Sequence, residues 1–305
     1  MIFYPQDTQT AWTHKGVFRA GATDLFDRQR KGLIKGDSIE LREVAELSER
    51  PVISEDGIIS IPAMVTITEL NLASTDWGHQ ALTMATRELA TPAIRNTATV
   101  GGNLLQEVRC SYFRSGQIRC HKTGGQHCPA RQGDHRYLSG IDLGGCIAPH
   151  PSTLAMVFAC LGAYVDCTES SGFNHIAIED LWLKPKRRLI HRILLPLSGV
   201  NDISHWQRIS NRTKAEWPLV EVALYIQLFQ NKIARARCYV GGLAKYPFSL
   251  DELADILEDQ SIYSIQLDRN KNWLSSMKWL EQSKYKSKLL AHLICDAFEQ
   301  VQQQL

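Results

Sequence analysis

The sequence predicts an α+β fold in two units, residues 1–198 and 199–305, and three observations predict it. Short alternating strand patterns such as Ser38-Ile39-Glu40-Leu41 are interleaved with helical spacing at Trp77 to Leu89. Ile190 to Leu195, ending at Pro196, reads as a strand that closes the first unit, and a polar linker follows. Beyond the linker, Leu219 to Gln230 and Ile233 to Gly241 alternate like paired strands about Asn231-Lys232, and the tail from Leu250 is mostly helical.

Taken in order, Gly16 to Leu25 is a short apolar strand running into a small-residue turn, and Leu25 to Leu33 follows as a helix carrying Arg28, Arg30 and Lys31. Such a corner places backbone N–H groups where anions are favoured. Pro51 to Thr66 reads as a hairpin about Glu55-Asp56-Gly57. The helix Trp77 to Leu89 is carried by Leu82, Ala85 and Leu89 and is stopped by Pro92. A glycine turn, Thr99-Val100-Gly101-Gly102-Asn103, comes next. From Cys110 to Cys146 the chain is rich in Gly, His, Arg and Gln and has almost no apolar period. Irregular loops of that length are generally functional or disordered. Leu154 to Val165 is apolar throughout and reads as a buried helix.

With 305 residues and 44% apolar content, the chain can bury one large core or two moderate ones. The formal charge of +2 comes from nearly balanced, dispersed acids and bases, which leaves no electrostatic footprint for nucleic acid. The basic knots Arg28 to Lys31 and Lys184 to Arg188 read as solvated faces. No apolar run reaches the ~18 residues that span a bilayer. The opening segment MIFYPQDTQTAW lacks a secretory pattern, so the expected compartment is the cytoplasm, with export on a partner's signal left open.

The eight cysteines divide into two groups. Cys160, Cys167, Cys238 and Cys295 sit in apolar or ordinary segments, as buried thiols do. Cys110, Cys120, Cys128 and Cys146 cluster in the irregular loop, and clustered cysteines in a chain that is neither small nor secreted indicate metal. Their gaps of nine, seven and seventeen residues contain no CxxC knuckle, which favours an iron–sulfur cluster over zinc. A zinc-stabilised interaction module without redox activity stays open as the alternative, as does a loop without metal. His121, His127, His135 and His150 are available as substitutes for a thiolate, although four cysteines already fill one site. The turns at Gly21 and at Gly101-Gly102 let backbone N–H groups approach a pyrophosphate. Neither is a GxGxxG or P-loop pattern, which leaves a Rossmann or ATPase assignment without support.

Together these segments resemble a known family, the FAD-binding middle subunit of the molybdenum hydroxylases, related to the flavin domains of xanthine dehydrogenase and carbon monoxide dehydrogenase. Arg19-Ala20-Gly21-Ala22-Thr23-Asp24-Leu25 is similar to the family's AGGTDL turn. Ala90-Thr91-Pro92-Ala93-Ile94-Arg95-Asn96, leading into Thr99 to Asn103, is the more specific match. Val240-Gly241-Gly242-Leu243-Ala244 before Pro247 resembles the family's C-terminal domain, so nearly the whole chain is covered. The cysteine loop, from Arg109-Cys110-Ser111-Tyr112-Phe113-Arg114 to Cys146-Ile147-Ala148-Pro149-His150, resembles the branch that includes 4-hydroxybenzoyl-CoA reductase and bacterial aldehyde oxidoreductases.

The resemblance implies an FAD-binding domain of the vanillyl-alcohol-oxidase/CO-dehydrogenase-flavoprotein type over 1–198, with two subdomains and an insertion at 109–147, followed by a C-terminal α+β domain over 199–305. Both glycine turns, Arg19 to Leu25 and Thr99 to Asn103, would hold the FAD pyrophosphate. Ser152 and Thr153 would lie near the flavin nucleotide, Ile190 would line the isoalloxazine pocket, and Arg208 would be a basic residue near the cofactor. Cys110, Cys120, Cys128 and Cys146 would hold a 4Fe-4S cluster, whose potential Arg109, Arg114, Arg119 and Lys122 would raise by stabilising its reduced state. No catalytic acid, base or nucleophile is implied. The chain would pass electrons between a molybdenum-cofactor large subunit with a 2Fe-2S small subunit and an external acceptor. It departs from the family at Ala22, where a second glycine is usual, and at Thr153, where aspartate is usual. An alanine forced to positive φ would be strained.

Overall fold

The computed structural model describes residues 1–212 and 215–305. Strands β1 (Ile2–Phe3), β2 (Val17–Arg19) and β3 (Ser38–Glu40) form a parallel sheet in the order β1-β3-β2. Helices Thr8–Thr13 and Leu25–Arg30 make the crossovers that parallel strands require. Ala11, Ile39, Leu47 and Leu189 belong to the small core that joins this sheet to the next.

The second sheet contains β4 (Val52–Ile53), β5 (Ile58–Pro62), β6 (Tyr164–Glu169), β7 (Gly172–Ala177) and β8 (Leu189–Pro196), antiparallel in the order β4-β5-β8-β6-β7. Its alternate residues Ile59, Ile61, Val165, Cys167, Ile193 and Leu195 point into the largest core. Helices Ile67–Ser74, Gln80–Glu88, Val100–Leu104 and Thr153–Leu161 contribute to the same core. The third sheet contains β9 (Asp202–Ser210), β10 (Pro218–Phe229), β11 (Lys232–Gly241) and β12 (Phe248–Ser249), antiparallel in the order β12-β11-β10-β9. Gln230 and Asn231 close its long hairpin at φ +50° and +65°, the pair of positive φ values that a tight hairpin demands. Helices Asp251–Leu257 and Tyr285–Gln302 build a separate core against it, while Trp206, Ala223 and Tyr225 join the first core.

Several elements depart from the sequence reading for identifiable reasons. The apolar run from Leu154 is a helix only to Leu161; Gly162 ends it in a left-handed turn, and Val165 lies on β6. An apolar run carries no period that separates helix from strand. The expected polar linker after residue 198 contains β9, whose buried positions include Ser204 and His205 and so lack an apolar alternation. Helix Ile67–Ser74 has a full capping box between Thr66 and Glu69. Pro92, expected as a stop, is also the first residue of the short helix Pro92–Arg95, where its missing N–H costs nothing. In the tail, Tyr285–Gln302 is the only helix longer than seven residues among the described residues.

Candidate functional site

The first glycine turn leaves β2 at Arg19 and enters helix Leu25–Arg30 at Leu25. Gly21 is so close to the chain ahead of the second turn that a Cβ there would stand 1.8 Å from the Thr97 carbonyl oxygen. Glycine is therefore required by a backbone crossing, which is what brings the two turns together. Ala22 does adopt positive φ, +56°. That conformation costs an L-residue about 1–2 kcal/mol. Among the described residues, the amides of Gly21, Ala22 and Thr23 donate to no group of the chain.

The second turn is arranged differently. Thr99 caps helix Val100–Leu104, its hydroxyl accepting the Gly102 amide at 3.2 Å. The Val100 and Gly101 amides each donate at 2.9 Å to the carbonyls of Val65 and Ala63. A Cβ on Gly101 would lie 2.9 Å from that of Ala63. Gly101 thus permits close packing against the segment after β5, Gly102 sits against the Thr99 hydroxyl, and both amides are spent inside the protein.

Between the turns runs a groove lined by Ala20, Gly21, Ala22, Thr23, Asp24, Leu25, Thr99, Gly101, Gly102 and Ile190 from the sequence reading. Phe18, Arg28, Leu41, Ala63, Met64, Leu105, Gln106, Arg188 and Leu189 complete the wall and were not anticipated. Through Gly21, Met64 and Thr99 the groove adjoins a cavity of about 890 Å³ walled also by Arg42, Arg50, Thr66, Glu69, Asn96 and Thr97. That volume is in the range of cofactor sites. The basic knots expected as solvated faces are partly inside: Arg28 lines the groove, and Arg188 is buried with its Nε 2.5 Å from Glu169. Lys186 also pairs with Glu169, and Arg187 stacks over Trp12 and Phe18.

Other residues named from the sequence lie outside the groove wall. Arg19 pairs with Glu40 at 3.2 Å. Val100 and Asn103 are buried, and Ser152 donates to the Asn103 side chain at 2.7 Å while capping helix Thr153–Leu161. Thr153 donates at 2.8 Å to Glu221, a buried carboxyl that burial pushes up to about 7 against the pull of that hydroxyl and of Arg208. Arg208 donates to the Glu88 carbonyl at 2.7 Å and stacks 5.5 Å over Trp206. Ser152 with Asn103, and Thr153 with Glu221 and its neighbour Arg208, thus form polar contacts at the start of helix Thr153–Leu161.

Asp24 links the groove to the cysteine loop. Its carboxylate, 7% exposed, receives Arg114 at 2.6 Å, Arg28 at 2.8 Å and Arg109 at 3.2 Å. Arg114 also reaches Asp27 at 3.1 Å and the carbonyls of Val108 and Glu107 at 2.8 and 2.7 Å. Arg114 closes the short helix Ser111–Arg114 that starts beside Cys110, so its ion pairs tie the first turn to the start of the loop.

Cys110 and Cys120 share a buried cluster with Val108, Phe113 and Ala148, and Cys146 packs against it. Cys128 packs against the adjoining cluster of Ala130, Ile147 and Leu280, and Tyr112 and Leu138 touch both. Burial pushes the Cys110 thiol up, the amides of Phe113 and Tyr112 oppose that, and the neighbouring Cys146 and Cys128 add to it. Burial likewise raises Cys146, opposed by the Ala148 amide 3.5 Å from its sulfur, with Cys128 and Cys120 also in range. Among the described residues, no three or more His, Cys, Asp or Glu side chains gather closely enough to hold a single metal ion. The loop has other reasons to be ordered. Arg131 grips Asp142 through two bonds of 2.9 and 2.6 Å, and the buried Lys286 donates to Leu138 and Gly242 carbonyls at 2.7 and 3.0 Å. His135 is buried with its Nδ1 3.1 Å from the carbonyls of Ala130 and Gly133, and His121 and His127 are exposed.

Comparison with known proteins adds to this geometry. Residues 9–198 match the model of the FAD binding domain in molybdopterin dehydrogenase. The aldehyde oxidoreductase FAD-binding subunit PaoB of Escherichia coli (strain K12) is 28% identical over 265 residues, taking in 81% of this chain and 80% of its own length. Quinoline 2-oxidoreductase from Pseudomonas putida 86 shares the fold at a TM-score of 0.72 and 16% identity, over 99% of this chain and 96% of that one. Reconstituted CO dehydrogenase from Oligotropha carboxidovorans does so at 0.74 and 15% identity, over 100% and 98%. Among the described residues, no helix is long and apolar enough to cross a membrane.

Proposed function

Because the chain belongs to the family of FAD-binding domains of molybdopterin dehydrogenases, we propose that it is the FAD- and 4Fe-4S-carrying electron-transfer subunit of a molybdenum hydroxylase complex. Membership makes it a flavoprotein component of an oxidoreductase. The observation that carries the rest is the meeting of the two glycine turns over a groove whose first turn presents unspent amides. FAD, when bound, supplies the redox chemistry, and the protein supplies binding, orientation and electrostatics. In this reading Gly21, Ala22 and Thr23 donate to the pyrophosphate, Thr99, Gly101 and Gly102 shape the opposite wall, and Ile190 meets the ring system. Ser152, Thr153 and Arg208 act from behind, holding Asn103 and Glu221 in place. We assign 1–198, with the insertion 109–147, to the cofactors and 199–305 to their support.

The donor set of the loop fits a 4Fe-4S cluster on Cys110, Cys120, Cys128 and Cys146. The four cysteines, in adjoining buried clusters, would supply the four thiolates that such a cluster takes. Amide and hydroxyl donors to Cys110, Cys120 and Cys146 would stabilise thiolates and raise the potential of a bound cluster. The basic residues contribute unequally to that potential, because Asp24 and Asp27 take up Arg114, Asp24 also faces Arg109, and Glu107 takes up Lys122.

In the complex, a molybdenum-cofactor subunit and a 2Fe-2S subunit would deliver electrons, which this chain would pass to an external acceptor. Anaerobic purification with quantified FAD, iron, sulfide and zinc tests the reading. FAD equimolar with the chain, and iron equal to sulfide, are expected. Cys128→Ser should lose the iron and keep the flavin. A colourless, zinc-loaded protein would overturn the reading in favour of a non-redox module.

A further inference from the structure

We propose that Arg28 is an additional FAD-binding residue, supplying the positive charge that neutralises the pyrophosphate. This rests on the groove being the FAD site. Among the described residues, Arg28 and Arg188 are the two cations on the wall of the groove between the glycine turns. Arg188 is buried and committed to Glu169, so it has little to offer a ligand. Arg28 is different. Its Nε lies 2.8 Å from Asp24 Oδ2, yet the N–H is not aimed at that oxygen and finds no acceptor.

Asp24 is able to release Arg28 without being left alone, because Arg114 and Arg109 hold its other oxygen at 2.6 and 3.2 Å. Among the described residues, the cations Arg28, Lys31, Arg109 and Arg114 pair with the carboxylates Asp24 and Asp27, and Glu107, on the wall of a second cavity that Arg28 also lines, is taken up by Lys122. A half-buried site with surplus positive charge is incomplete until an anion enters. Gly21, Ala22 and Thr23, whose amides find no acceptor among the described residues, line the same groove. Amides and a guanidinium converging on one space are the donor set of a diphosphate, and Arg28 makes a charge-assisted contact there that the amides alone do not.

The test uses the full chain stripped of flavin and titrated with FAD and, separately, with riboflavin, which has the ring but no phosphate. A hydrogen bond to a charged group contributes enough for a tenfold to hundredfold change in affinity, about 1.5–3 kcal/mol. Arg28→Gln should weaken FAD by that factor and leave riboflavin unchanged, and Arg28→Lys, which keeps the charge but not the fork, should fall between. Arg28→Gln binding FAD as tightly as wild type would overturn the proposal, as would equal losses for FAD and riboflavin. Wild-type chain that fails to take up FAD at all would overturn the FAD reading itself, and Arg28 with it.

Discussion

Replacing Glu221 by Gln should remove most of the pH dependence of stability between pH 4.5 and about 7. The carboxyl is 2% exposed, and burial raises it from 4.5 to about 7, with Thr153 and Arg208 opposing. Its folded value lies above its unfolded value, so in that window the native state holds a proton that the unfolded chain has released. The contribution to stability is therefore complete below pH 4.5 and is lost as pH climbs through about 7. At 1.36 kcal/mol per unit, the difference amounts to about 3 kcal/mol. Glutamine keeps the shape, accepts the Thr153 hydroxyl and never ionises. Urea unfolding of the purified chain, followed by tryptophan fluorescence across this range, reads the effect directly. Wild type should lose about 3 kcal/mol more than Glu221→Gln between about pH 5 and pH 8, and the variant should be the more stable at the alkaline end. Parallel pH profiles for the two proteins would refute the argument that burial, rather than Arg208, governs this carboxyl.

Other perturbations address the same network and its surroundings. Thr153→Asp installs the residue usual in the family but sets a second carboxylate against Glu221; a loss of about 3 kcal/mol at neutral pH, partly recovered near pH 5, is expected from thermal unfolding. Ala22→Gly relieves a positive φ at the cost of a more flexible unfolded chain, so a net gain of about 0.5–1 kcal/mol should appear in the urea midpoint, and a loss would contradict the strain. Lys286→Met removes the donor shared by the Leu138 and Gly242 carbonyls. Each orphaned carbonyl costs about 1–3 kcal/mol, and hydrogen exchange measured by mass spectrometry should accelerate across residues 135–145; unchanged protection there would show that Arg131 and Asp142 suffice.

How far the site was legible depends on what kind of constraint each residue obeys. Gly21 was readable because a backbone crossing with Thr97 excludes every other residue type, and a constraint of that severity survives in a short motif. The positive φ at Ala22 was readable as a missing glycine. Gly101 was readable as a turn but not as to purpose, since its packing on Ala63 depends on a strand some forty residues away. Arg28 was missed because a run of charges along six residues of helix looks solvated from sequence; Arg30 and Lys31 are indeed exposed, and only the third dimension separates them from Arg28. Strand β9 was hidden for a related reason. Its inward positions include Ser204, whose hydroxyl accepts the Ala81 amide, so hydrogen bonding stands where an apolar period would have been.

The network around Asp24 carries the argument one step further. Nothing in the local sequence requires the residue four before Arg28 to contact a loop some ninety residues later, yet Arg114 spans that distance with two hydrogen bonds, to Asp24 and Asp27, and adds two to carbonyls of the chain just before Cys110. A carboxylate that holds Arg28 on the groove side and Arg114 on the cysteine side cannot shift for one without loading the other. Asp24 therefore ties the turn at the groove to the segment from Glu107 to Arg114, while Arg131 with Asp142 and Lys286 with the Leu138 carbonyl hold the later part of the loop.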